Sequence, residues 1–472
     1  MKAFVDDDFL LDTSVARNLY KEYAAGLPIV DYHSHLPVND IAGRKRMRNI
    51  GELWLGADHY KWRLMRIAGV PERFITGDAD DREKFLAFCR VLPHAIGNPV
   101  HHWCHLELKR FFQIDAVINV ANGPALWDAA NARLESMDAW SFLEQSNVEV
   151  ACTTDDPADG LADHAALAGA ALRTRILPTF RPDRAMRIND AGFIEYLQRL
   201  GDAASTRITS FAALIEALDN RIGFFHTRGA RISDHSLENP LASQPAADAD
   251  LGALFAHRLD NHTLDPEALG TYQLGLLTHL GRSYARRDWA MCLHIGARRN
   301  NNSRAFADLG PDSGFDSISD LPSTDGLTTL LDTLDRERSL PKTVLFCMHP
   351  AMNEILASMI GNHCRDSVPG KIQFGPPWWF NDHKRGILAH LETLASHSVL
   401  GMFVGMTTDS RSFASYPRHE YFRRLFCRAL GRWVEDGDYP CDENMLCTLV
   451  EGICYYNAKR YFGFAMDAAG RP

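Results

Sequence analysis

Eight short apolar runs punctuate the chain, at 28–33, 148–153, 175–179, 230–233, 290–294, 343–348, 371–374 and 401–406. Apolar runs of this length bounded by polar turns read as buried parallel strands. From the second run onward most intervals carry apolar residues at helical spacing, as at 161–172, 193–200, 211–225 and 327–334. Strand alternating with helix predicts βαβ units and a parallel sheet. Eight such strands suggest a closed (β/α)8 barrel of TIM type, although a doubly wound sheet would read similarly. The first interval departs from the rule. Between Leu36 and Asn147 the sequence is long, aromatic and rich in helical pattern, with segments at 81–88 and 98–112 broken by Gly97 and Pro99. The expected division is a barrel formed by 1–36 and 147–472, with 37–146 as a helical insertion after strand one. A second insertion is expected after strand four, where 243–250 is rich in Ala and Asp.

Composition narrows the class. At 472 residues, 46% hydrophobic and 23% charged, the protein is long enough for a barrel with insertions. A net charge of −10 disfavours nucleic acid and anionic membranes as partners. An acidic substrate would need a local group of arginines. The ten cysteines are scattered with no C-x-x-C pair, and Cys152, Cys292 and Cys347 lie in apolar runs, which reads as buried free thiols in a reducing cytoplasm. The start, Met1-Lys2-Ala3-Phe4-Val5-Asp6-Asp7-Asp8, is acidic and has no apolar leader, and no stretch is long and apolar enough to span a bilayer.

The candidate chemistry gathers at strand ends. In Ile29-Val30-Asp31-Tyr32-His33-Ser34-His35 the two histidines are two apart and point the same way from the end of strand one. Alone, H-x-H fits a metal pair or two polar residues ending a strand. Asp409, in Gly405-Met406-Thr407-Thr408-Asp409-Ser410-Arg411, follows strand eight. In a closed barrel strand eight adjoins strand one, so Asp409 could meet His33 and His35 on one divalent ion; alone it would suit a helix N-cap. Arg181, Asp234 and His294 stand at or just beyond strands three, four and five, and Arg299 and Arg411 follow strands five and eight. Arginine's planar fork suits a carboxylate. His101, His102 and His105 read better as hydrogen-bonded structural residues, His349 is not needed, and Asp155 and Asp156 could cap the next helix. No lysine falls between Lys109 and Lys342, which disfavours Schiff-base chemistry and a carboxylated lysine bridging two metals.

H-x-H after strand one with Asp after strand eight is the pattern of the amidohydrolase superfamily. Within it the sequence resembles the uronate isomerases, or glucuronate isomerases, nearly end to end. The matching stretches include Asp31-Tyr32-His33-Ser34-His35-Leu36-Pro37, Asp58-His59-Tyr60-Lys61-Trp62-Arg63, Arg181-Pro182-Asp183, Ser233-Asp234-His235, Arg299-Asn300-Asn301-Asn302, Trp378-Trp379-Phe380-Asn381-Asp382 and Asp409-Ser410-Arg411-Ser412-Phe413. The resemblance implies one divalent metal, with zinc the expected ion, on His33, His35 and Asp409. It implies catalytic roles for Asp409, Tyr60, His59 and His294, and substrate binding by Arg181, Asp234, Arg299 and Arg411. The implied substrates are uronic acids: D-glucuronate giving D-fructuronate, and D-galacturonate giving D-tagaturonate, through a cis-enediol. A cytoplasmic homo-oligomer is the corresponding expectation. The alternative is a single-metal hydrolase or lactonase of the same superfamily.

Overall fold

The computed structural model describes residues 3–320 and 324–464; the expectation for the N-terminal segment begins on Met1 and Lys2, outside that range. The apolar runs form seven strands of parallel sheet. Strands β1 (Ile29–Asp31), β2 (Val148–Cys152) and β3 (Arg175–Leu177) make one ladder. Strands β4 (Ile232–Leu237), β5 (Ala290–Ile295), β6 (Lys342–Cys347) and β7 (Ile372–Phe374) make a second. Phe180 joins the two: its N–H donates to Ile232 O at 3.1 Å and its carbonyl accepts from Asp234 N at 2.9 Å. β5 is buried at every position, as a strand covered on both faces must be.

Helices pack around this sheet. Phe211–Thr227 contacts Pro266–Arg286, whose Asp265 cap accepts from Ala268 N at 2.8 Å and whose Pro266 occupies the first turn. Between β1 and β2 the fold is helical, including Ile50–Leu55, His59–Ile67, Asp81–Val91, Pro99–Glu107 and Gly123–Leu134. Trp54, Phe85 and Phe88 of this stretch are fully buried and belong to the same core as Trp289, Tyr272 and Tyr284. All ten cysteines are free thiols, and Cys152, Cys292 and Cys347 are buried as expected. Among the described residues no helix is long and apolar enough to cross a membrane.

Two sequence expectations need correction. Strand four starts two residues later than 230 and runs on to Leu237, so Asp234 lies inside the strand. The run Ser233-Asp234-His235-Ser236 is unusually polar for a strand interior, and of these Asp234 pairs with Arg181 and His294 at the site. The expected eighth strand at 401–406 is not a strand. Leu400–Met402 is a 3-10 turn, and 403–410 passes between β7 and β1 without a ladder to either. Two backbone bonds just beyond β1, from Asp409 N to His33 O and from His35 N to Ser410 O, and several side chains make the joins. Gln373 accepts from Val404 N at 3.2 Å and donates to Met402 O at 3.0 Å, while Thr407 Oγ1 accepts from His33 N at 3.0 Å. Gly405 explains the irregularity: its φ is +77°, and its carbonyl accepts the Tyr32 hydroxyl at 2.9 Å.

A Cβ on Gly405 would lie 2.1 Å from the carbonyl oxygen of Ile453. Gly405→Ala is therefore expected to lower unfolding free energy by about 1–3 kcal/mol or more, from left-handed backbone strain and the clash together. Urea unfolding of the variant reads this; an unchanged midpoint would mean that the segment carrying Asp409 adjusts freely.

Candidate active site

A cavity of about 1040 Å³ opens where the parallel strands end, and its walls include all ten residues singled out from the sequence: His33, His35, His59, Tyr60, Arg181, Asp234, His294, Arg299, Asp409 and Arg411. His33 and His35 follow β1 by two and four residues. The Nε2 atoms of both lie 3.1 Å from Asp409 Oδ1. His35 Nδ1 meets Thr154 Oγ1 at 2.8 Å, which leaves its Nε2 for the carboxylate side. Asp409 adopts a left-handed φ of +48°, a conformation that Asp tolerates better than most residues, and its N–H donates to His33 O at 3.1 Å. Its Oδ2 accepts the indole N–H of Trp378 at 2.8 Å.

This donor set fits a divalent cation. Two imidazole nitrogens and a carboxylate oxygen lie within 4.8 Å of one another on the cavity wall. Burial works against charge on His33, yet Asp234 and Asp409 together raise its pKa; burial pushes His35 down to about 4. Burial would also raise Asp409, but hydrogen bonds from both histidines hold it well below the usual carboxylate range. A neutral His35 and an ionised Asp409 are the forms that bind metal. His33, Asp234 and His294 form a second compact group sharing His33. There Asp234 Oδ1 is 2.7 Å from His294 Nδ1, and the neighbouring Arg181 guanidinium is 3.4 Å from Oδ2. Burial opposes ionisation of Asp234, but Arg181, His294 and His33 hold it well below the usual range. The His294 ring stacks on Phe346 at 4.4 Å.

The helix His59–Ile67 brings His59 and Tyr60 to the cavity from the stretch between β1 and β2. Its Asp58 cap accepts from Tyr60 N at 2.9 Å and from Lys61 N at 3.2 Å. The rings of His59 and Tyr60 stack at 5.1 Å. The three arginines are already paired. Arg181 meets Asp183 at 2.9 Å, Arg299 meets Asp316 at 3.3 Å, and Arg411 meets Asp312 at 2.9 Å. Arg181 is the most firmly held, since Asp234 behind it is wholly buried. The Arg411–Asp312 pair is the most open, with side chains 32% and 47% exposed.

Sequence reasoning passed over Trp378, Asp382 and Arg418, all of which line this cavity or the void beside it. The first two stood in a quoted motif without a role. Arg418, in the first turn of Pro417–Glu435, is a cation 3% exposed, and a charge on the buried face of a helix was the available signal. The discounted residues behave as expected. His105 bonds His101 O at 2.6 Å and accepts from Ile118 N at 3.0 Å, and His349 caps a 3-10 turn. Asp155 and Asp156 do not cap a helix. Asp156 accepts from Ala158 N at 2.9 Å, and Asp155 ties Thr153 to Thr179 N.

Fold and site together define an α/β protein with a candidate metal centre at the C-terminal ends of a parallel sheet. The family model described as glucuronate isomerase matches residues 1–462. A uronate isomerase of Caldicellulosiruptor saccharolyticus is 48% identical over 98% of this chain and 100% of its own length. The crystal structure of a uronate isomerase from Thermotoga maritima superposes with a TM-score of 0.92 at 33% identity, over 98% of this chain and 100% of that one. The glucuronate isomerase of Caulobacter crescentus, at 23% identity, shares the fold with a TM-score of 0.91 over 100% and 99% of the two chains. The chain belongs to the glucuronate isomerase family. Its enzyme class is therefore that of an isomerase, and the hydrolase alternative finds no support.

Zinc added to metal-free protein at pH 8 should bind at one ion per protein molecule. Affinity should fall with pH as His33 takes up its proton, before His35 does so near pH 4. Isothermal titration over a pH series tests this; affinity flat down to about pH 4 would remove His33 from the ligand set.

Proposed function

We propose that the cavity interconverts D-glucuronate and D-fructuronate, and D-galacturonate and D-tagaturonate, in their open-chain forms. The reaction moves a proton between C2 and C1 through a cis-enediol. The observation that carries this reading is the meeting, in one cavity, of the His33–His35–Asp409 cluster, the Tyr60 phenol and the arginine-bearing rim. Family membership supports it. We further propose that the sheet closes as a (β/α)8 barrel formed by 1–36 and 147–472, with 403–410 standing in for the eighth strand. On this reading 37–146 is a helical insertion that lends His59 and Tyr60 to the site.

His33, His35 and Asp409 would hold one divalent ion, with zinc favoured by two nitrogens and one carboxylate. Such an ion would supply a Lewis acid that orients and polarises the sugar. The remaining work falls to the protein's own residues. Asp409 takes the C2 proton through Oδ2, the oxygen turned from the imidazoles toward the Trp378 indole, and returns it to C1. Tyr60 carries the second proton between the oxygens on C1 and C2. His294 and Asp234 form a fixed pair that meets the sugar hydroxyls, and His59 braces the Tyr60 ring.

The uronate carboxylate docks on Arg411. An exposed ion pair contributes about 0–1 kcal/mol, so Asp312 yields its place at little cost. Arg181 and Arg299 keep their protein carboxylates and shape the wall. Isomerisation neither consumes water nor needs a co-substrate, so the site has only to hold one sugar and exclude solvent from the enediol.

Two variants test this reading. Asp409→Asn keeps the shape and a carbonyl oxygen but cannot take a proton; isomerisation should fall by roughly 10²-fold or more. Exchange of the C2 hydrogen with deuterated solvent should disappear with it. Metal retained together with near-normal exchange would assign the base elsewhere. Arg411→Met should lower kcat/KM on D-glucuronate by the equivalent of about 1.5–3 kcal/mol, the range for a hydrogen-bonded charge partner. Unchanged efficiency would move the carboxylate to Arg299 or Arg181.

A further inference from the structure

Behind Tyr60, beside a void that His33 and Asp409 also line, lie two buried ionisable groups that the chemistry above leaves unused. The Tyr60 hydroxyl donates to Asp382 Oδ2 at 3.0 Å, across 322 residues of sequence. Asp382 is 4% exposed, and its Oδ1 has no hydrogen-bond partner among the described residues. Arg418 is 3% exposed; its guanidinium reaches Asp382 only at 4.0 Å and lies over the rings of Tyr60 at 5.0 Å and Trp103 at 4.2 Å. It also donates to Thr408 O at 3.2 Å, one residue before Asp409.

A carboxylate in this position is costly. Removing a charge from water costs several kcal/mol unless the partner's geometry is good, and 4.0 Å from Arg418 is loose. Burial duly pushes the Asp382 carboxyl up to about 8, against the pull of Arg418 and the Tyr60 hydrogen bond. A neutral residue could fill the same space more cheaply. What the carboxyl adds, largely in its neutral form at pH 7, is an acceptor oxygen for one donor, the Tyr60 phenol. That bond fixes the phenol oxygen in the resting site; in the transfer the phenol gives its own proton to one sugar oxygen as it takes the proton of the other, and its new O–H then returns to Asp382. The ring is held from three further sides, by His59 stacked on one face, Arg418 over the ring and Trp103 at its edge.

We propose that Asp382 is a positioning residue for the isomerisation, acting through Tyr60: its bond to the hydroxyl fixes where the phenol oxygen stands before and after each proton transfer. Asp382 does not touch substrate on this account. The inference rests on the assignment of Tyr60 to proton transfer and goes beyond it, because it makes that transfer depend on a carboxylate outside the metal cluster. Three segments distant in sequence then set one atom: the helix that starts at His59, the turn after β7 that carries Asp382, and the helix that starts at Pro417.

A double-mutant cycle on the metal-loaded enzyme tests it. Asp382→Ala should lower kcat about three- to tenfold, the worth of one hydrogen bond between neutral groups, with KM within about twofold. Asp382→Asn should recover most of that loss, since its amide oxygen can still accept from the phenol. In a Tyr60→Phe background neither change should cost anything further. Thermal melts check folding, and if the alanine variant does not fold, the asparagine variant compared in both backgrounds decides. An Asp382 effect of equal size with and without the Tyr60 hydroxyl would overturn the proposal while leaving Tyr60 its role. A Tyr60→Phe enzyme with normal kcat would overturn both.

Discussion

The candidate site depends on the Asp31 carboxylate. It is wholly buried at the end of β1, and it accepts from Thr407 Oγ1 at 2.8 Å, Thr408 N at 2.7 Å and Thr408 Oγ1 at 2.6 Å. The imidazole of His419 stands 3.7 Å away. No strand ladder joins 403–410 to β1, so this one carboxylate takes over much of a ladder's role. It pins the segment that ends in Asp409 against the segment that begins the H-x-H pair. A buried carboxylate is costly, but three short hydrogen bonds offset the desolvation, and removing either side would leave a buried charge or donor unpaired. The separation of His33 and His35 from Asp409 is thus set two residues upstream, where neither ligand is involved.

From that fixed point the site is built by pairing buried charges. Asp234 balances Arg181, His294 and His33; Asp382 lies beside Arg418; Asp58 pairs with Lys61 at 2.5 Å. In a protein of net charge −10, an anionic sugar needs cations on the cavity wall, and Arg181, Arg299 and Arg411 stand there. On the proposed reading the substrate's carboxylate exchanges with a protein carboxylate on Arg411. Exchange gives up affinity and keeps geometry, which suits a reaction whose reactant and product carry the same charge.

The sequence made the frame legible because burial leaves a period. Seven of eight apolar runs became strands, and H-x-H announced itself by a two-residue spacing that any extended segment would honour. The ends of elements were less legible. β4 hides part of its length under Ser233 to Ser236, polar residues whose place in the strand a local pattern does not display. The run at 401–406 reads as a strand because it is apolar and extended, yet Gly405 turns left-handed there and Gln373 bonds in place of a neighbouring backbone. Asp31, Asp382 and Arg418 were harder still. Each owes its role to partners more than 300 residues away or to a buried helix face, and nothing within a few residues marks them.

Backbone strain fits the same account. Asp409, Asn300 and Asp312 are non-glycine residues in the left-handed region, with φ of 48°, 53° and 57°. All three line the cavity. An isolated left-handed residue costs on the order of 1 kcal/mol, less for Asp and Asn, and it persists only where surrounding bonds over-determine it. At Asp409 those bonds are the N–H to His33 O, the indole of Trp378 and the Asp31 clamp two residues back. At Asn300 the clamp is its N–H to Asp316 at 2.8 Å, which also holds Arg299. Asp312 has its exposed pairing with Arg411 and a looser one with Arg299 at 3.9 Å. The strain is therefore secured around the candidate cation ligands and left loosely held at the rim, where on the proposed reading the sugar's carboxylate displaces Asp312. A site arranged in this way is rigid where protons move and yielding where the sugar enters.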